Sequence, residues 1–169
     1  YGVGVAHNPE SNMKLSSGAA PVTEMLAAGI PVGLGTDGAS SNNNLDLLQE
    51  MRSASFLQKL RTMNPTALPA HQSLQMATVY GARALGLEKE IGCLAPGLKA
   101  DMIIIDLAAP HMQPCHDVAA NLVYSAQAGD VNTVIIDGKT VMENRVIKTF
   151  DEAEVIRQAR ACAGRLAGA

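Results

Sequence analysis

An α/β chain is predicted, in which a portion of a parallel sheet flanked by helices is followed by a small β-rich unit and a terminal helix. Three observations predict it. A strand, a helix and a second strand succeed one another within the first 34 residues, the crossover from which parallel sheets are built. From Ile91 onward the composition turns to short β-branched runs separated by turns. The last stretch, 152–166, reads as helix again.

The first strand spans 2–6 and ends at His7-Asn8-Pro9-Glu10-Ser11-Asn12, read as a polar loop because its proline cannot continue a ladder. A helix over 18–28 follows, with Val22, Met25 and Leu26 at helical spacing, Pro21 in its first turn and Gly29 at its stop. The second strand, 30–34, is a continuous apolar run, as a buried parallel strand should be, and Gly33 and Gly35 permit close approach by another backbone or a ligand. The run Ser40 to Asn44 offers caps for a helix over 45–61, with Leu45, Leu48, Met51 and Ser55 on one face and Glu50 and Arg52 solvated or at a packing contact. One further helix, 70–85, starts after Pro69 and ends at Gly86. Strands are then expected at 102–106, 122–124, 131–136, 140–142 and 145–147, with Asp137-Gly138 as a strong hairpin signal and Glu143-Asn144 as a weaker one.

With 169 residues, 47% of them hydrophobic, the chain can bury a sizeable core. A net charge of −3 gives no electrostatic reason to expect nucleic acid or an anionic membrane surface as partner and leaves a small-molecule ligand. There is no run of about 18 apolar residues for a membrane span. Cys93, Cys115 and Cys162 are odd in number and show no close pairing, which reads as reduced, buried thiols and a cytoplasmic setting. The chain begins inside a strand with no methionine, as a piece of a longer one would.

Chemistry is expected at Asp37, at the carboxyl end of the second strand, where the catalytic groups of βα barrels gather. An Asp before Gly is also an ordinary Asx turn, and the residues alone leave both readings open.

Three motifs occur in order: His7-Asn8-Pro9-Glu10-Ser11-Asn12-Met13-Lys14-Leu15, then Gly35-Thr36-Asp37-Gly38 with Ser41-Asn42 behind it, then Gly92-x-Leu94-x-Pro96-Gly97-x-Lys99-Ala100-Asp101. Together they resemble the amidohydrolase superfamily, and within it the branch of the 5-methylthioadenosine/S-adenosylhomocysteine deaminases and the triazine chlorohydrolases. The resemblance implies the carboxyl-terminal part of a metal-dependent (β/α)8 barrel plus part of a small β-sandwich domain. On that reading 1–86 hold the last two barrel strands and flanking helices, 87–150 a sandwich portion, and 151–169 a terminal helix. It implies hydrolytic deamination of an adenine-type nucleoside, with chlorohydrolase or guanine-type chemistry, or a non-catalytic assembly module, as alternatives. Asp37 becomes a ligand of one divalent metal, zinc with iron or manganese as alternatives, and the acceptor of a proton from the attacking water. His7, not among the ligands the resemblance implies, is read as a residue that sits behind the ligands or orders its loop, with substrate contact as its other reading. Ser41 and Asn42 are candidates to touch the substrate, helix capping being the other reading of the pair. His111 and His116 are read as loop residues. The sequence is read as departing from the family in lacking the family's His-x-His pair, its His-x-x-Glu and a further histidine ligand after an earlier strand, so the chain alone is expected to be inactive. Open barrel edges exposing Val5, Val32 and Leu34 are expected to drive homo-oligomerisation.

Overall fold

The computed structural model describes residues 2–168. The first strand, β1 (Val5–His7), lies parallel to β2 (Val32–Leu34), with Val5 opposite Val32 and His7 opposite Leu34. Between them the expected polar loop is a helix, α1 (Pro9–Lys14): Pro9 ends the ladder but sits in the helix's first turn, where its missing N–H costs nothing. Helix α2 (Val22–Ala27) stops at Gly29, whose φ of +76° suits glycine.

Past β2, residues 39–42 form a short helix of their own, α3 (Ala39–Asn42). The cap of α4 (Leu47–Thr62) is Asp46, whose side chain accepts from the Leu48 and Gln49 amides. Leu48, Met51 and Ser55 are buried on α4 as expected, whereas Leu45 lies before it, exposed. The single helix expected over 70–85 is two, α5 (Ala70–Ala77) and α6 (Val79–Ala84), broken at Thr78. The break lets α6 lie against β2, where a Cβ built on Gly33 would come within 2.8 Å of the Gly81 Cα. Gly33→Ala must therefore push backbone from backbone. Denaturant unfolding should show a loss of about 1–3 kcal/mol, and an unchanged midpoint would mean that the contact is loose.

The second sheet has the order β3-β4-β5-β6, all antiparallel: β3 (Met102–Ile105), β4 (Val131–Ile136), β5 (Lys139–Glu143) and β6 (Val146–Ile147). Asp137 and Gly138 both take positive φ and turn β4 into β5, and Asn144 and Arg145 do the same for β5 and β6. The strand expected at 122–124 is instead the end of a helix, α7 (Val118–Tyr124), capped by Asp117, whose carboxylate accepts from the Ala120 amide. Val123 on α7 enters a core shared with Leu48 and Met51 of α4 and with Met112. A second core joins Val22, Val32, Ala54, Leu68 and Met76. Val32, expected to be exposed at an open edge, is thus fully buried, and Val5 and Leu34 are partly buried against the same core. The chain closes with α8 (Glu152–Ala167).

Cys93 and Cys162 are exposed rather than buried, and Cys115 is half-buried. No helix among the described residues is long and apolar enough to cross a membrane.

Candidate metal and catalytic site at the Asp37 turn

Asp37 follows β2 by three residues and takes φ of +59°, a left-handed conformation that Asp and Asn tolerate better than other side chains. Three donors hold its exposed carboxylate. The Gly38 amide donates to Oδ1 at 2.7 Å, while Ser41 Oγ at 2.6 Å and Ser11 Oγ at 2.7 Å donate to Oδ2. These bonds, Ser41 first, hold its pKa down to about 2, so the group is an anion at ordinary pH. A carboxylate offers about four lone-pair sites, so three donors leave one open, on Oδ1. That is the oxygen of this turn best able to take a cation. Gly35 lets the turn sit against α1, since a Cβ there would meet Asn8 Oδ1 at 2.5 Å.

The candidate residues are gathered unequally. Ser41 is spent on Asp37 and on the Gly38 carbonyl. Asn42 points inward, its Nδ2 donating to the Thr36 carbonyl at 2.7 Å and to Glu50 Oε1 at 2.6 Å. His7, at the end of β1, is 2% exposed, and neither ring nitrogen has a hydrogen-bond partner among the described residues. Burial lowers its pKa to about 4, so the ring is neutral, with one unmatched N–H and one unmatched lone pair. His7 and Glu10 have His-x-x-Glu spacing yet form no pair, since Glu10 Oε1 accepts instead from Ser53 Oγ at 2.6 Å. His111 pairs with Asp130 at 2.9 Å, well away in sequence from this turn.

Sequence reasoning missed two residues. Ser11, read as part of a loop, is a direct partner of Asp37. Glu50, read as solvated or at a packing contact, is fully buried and accepts from the Glu10 amide at 3.2 Å as well as from Asn42. Its place between Leu48 and Met51, on the face α4 turns inward, was the available signal. Burial raises the Glu50 pKa to about 7; the Glu10 and Asp46 carboxylates add to the rise, and the two N–H donors oppose it. Between about pH 4.5 and about 7 the native state therefore holds a proton that the unfolded chain has released, and stability falls as pH rises. Glu50→Gln removes this dependence. In thermal melts of the full-length protein, the Tm of the variant relative to wild type should rise from pH 5 to pH 7 and level off above, and a flat difference would refute the buried, proton-retaining Glu50.

Residues 1–141 match the amidohydrolase family. The chain belongs to the amidohydrolase family. A family relative, the 5-methylthioadenosine/S-adenosylhomocysteine deaminase of Syntrophomonas wolfei, is 67% identical over 99% of the chain and 39% of its own length. Among solved structures, an adenosine deaminase from Xanthomonas campestris with bound zinc superposes with a TM-score of 0.96 at 40% identity, over 99% of this chain and 38% of that one. The zinc complex of atrazine chlorohydrolase from Arthrobacter aurescens superposes at 0.86 and 30% identity, over 95% of this chain and 36% of that one. The chain thus spans well under half the length of these relatives. Among the described residues no group of three or more His, Cys, Asp or Glu side chains is gathered closely enough to hold a metal ion.

Proposed function

We propose that this chain is the carboxyl-terminal part of a metal-dependent aminohydrolase that replaces the exocyclic amine of an adenine-type nucleoside, 5-methylthioadenosine or S-adenosylhomocysteine, with oxygen and releases ammonia. The observation that carries the reading is the 67% identity to a deaminase of that name over nearly the whole chain, Asp37 turn included. In this reading residues 1–86 are the last two strands and flanking helices of a (β/α)8 barrel, 87–150 a sandwich portion and 151–169 a terminal helix. The unpaired cysteines fit a cytoplasmic setting.

Asp37 is the ligand this chain contributes to one divalent metal, zinc with iron or manganese as alternatives, through the open site on Oδ1; the other ligands come from outside these residues. When bound, such a metal brings the pKa of water toward neutrality. The protein's own task is to receive the proton. Oδ2 carries two serine hydroxyls, and either can rotate from donor to acceptor, so the carboxylate can take a proton there and return it to the departing amine. Ser41 and Asn42 serve the substrate through Asp37, by orienting it. His7, neutral and enclosed, with neither ring nitrogen partnered among the described residues, suits a residue that orders the loop behind the metal ligand; contact with the heterocycle would require the ring to be uncovered. The partner is a small molecule, and copies of the protein associate with one another.

The chlorohydrolase alternative rests on a likeness of 30% identity, less than half that to the nucleoside deaminase. The test is ammonia release by the full-length, zinc-loaded protein from 5-methylthioadenosine and S-adenosylhomocysteine, beside chloride release from a chlorotriazine. Ammonia alone supports the reading; chloride alone replaces it with the alternative; neither product overturns it.

A further inference from the structure

We propose that Glu50 is a positioning residue for Asp37, tying together the two helices that supply its serine hydroxyls. The proposal rests on the reading of Asp37 as a metal ligand. Ser11 stands on α1 and Ser41 on α3, short helices that touch and are joined by Lys14 Nζ, which donates to Asn43 Oδ1 at their ends. Glu50, from α4, ties them at the residues next to the serines themselves. One carboxylate oxygen takes the Glu10 amide, in the residue before Ser11, and the other takes the Asn42 amide, in the residue after Ser41.

The Asn42 amide gives the link its direction. Its two N–H bonds go to Thr36 O and Glu50 Oε1, so a flip of the amide would set an oxygen against two oxygens. Glu50 thereby holds Asn42 in the one orientation that clamps the Thr36 carbonyl. That carbonyl precedes Asp37, whose left-handed φ must be maintained by its surroundings. Ser53, one turn along from Glu50, adds a second tie from α4 to α1 through the Glu10 carboxylate. The hydrogen bonds of Glu50 go to Glu10 and Asn42 and not to Asp37, Ser11 or Ser41, so it acts through others.

Full-length protein carrying Glu50→Gln, Asn42→Ala or both tests this, with zinc affinity read by competition against a chromophoric chelator and kcat and KM read on 5-methylthioadenosine. Gln keeps an oxygen for one donor and presents an amide to the other. Its zinc affinity should fall about tenfold, within the range for groups that orient a metal ligand, with kcat lowered and KM within twofold. Asn42→Ala should fall at least as far. Because both residues act through one link, the double variant should lose no more than the worse single variant. Zinc affinity within twofold of wild type in Glu50→Gln, or a double-variant loss equal to the product of the single losses, would overturn the proposal. If Glu50→Gln does not fold, Asn42→Ala decides alone by the same twofold limit. A wild-type protein that binds zinc but deaminates neither nucleoside counts against the functional reading only, and the zinc affinities still decide the role of Glu50.

Discussion

Asparagine at position 37 in the full-length protein is expected to lower kcat for deamination by about 10³-fold, the scale on which a positioned proton acceptor contributes. The fold should survive. Asn tolerates the left-handed φ of +59° as Asp does, its carbonyl oxygen can keep the Gly38 amide, and its NH2 can donate to Ser11 and Ser41 once their hydroxyls turn to accept. What is lost is the negative charge and the capacity to hold a proton. Zinc content per chain should fall with activity while the melting temperature stays within a few degrees. A variant retaining more than a tenth of wild-type kcat would remove Asp37 from the chemistry and return it to the role of a turn residue.

Expressed alone, the 169-residue chain should show no deamination and no stoichiometric zinc, because catalytic zinc ordinarily requires three protein ligands and only Asp37 is assigned as one here. It should also self-associate. A groove of about 620 Å³ runs between α5, α6, residues 91–94 and the β3–β4 face, lined by Met76, Leu85, Ile91, Met102, Val134 and Ile136. Ile103 and Ile104 are each about half exposed beside it. Light scattering at rising concentration should report growing mass, and a clean monomer with measurable turnover would contradict both expectations.

The elements that sequence reasoning placed correctly are those whose signal is local. The β1–helix–β2 crossover, the Asp137-Gly138 hairpin and the tight approaches at Gly33 and Gly35 each depend on a few adjacent residues. The misplaced elements depend on distant ones. The β-branched and aromatic character of 122–124 pointed to a strand, but the Asp117 cap and the packing of Val123 beside α4 and α5 make it helix. Residues 7–12 read as a loop because they are polar and hold a proline, yet Pro9 opens a helix there, and Ser11 among them serves the Asp37 turn. The turn that carries Asp37, just past β2, was legible from its flanking glycines. Glu50 was not, because its partners lie on α1 and α3 and a carboxylate on a helix ordinarily faces water.

Helix α4 bears on how the chain comes into being during synthesis. Its Asp46 carboxylate accepts the Ala128 amide, and its Arg52 guanidinium donates to the Val123 and Ala126 carbonyls, across 71 to 82 residues of chain. At about 5–20 residues per second, those partners leave the ribosome on the order of 4–16 s after α4 does. For that interval the helix has its contacts with α1, α5 and β2, and the Arg61–Glu24 pair to α2, but no cover on the side that α7 will take. The early and late thirds of this chain therefore mature together, and a nascent chain arrested before residue 118 should display α4 to chaperones or proteases that the finished protein does not meet.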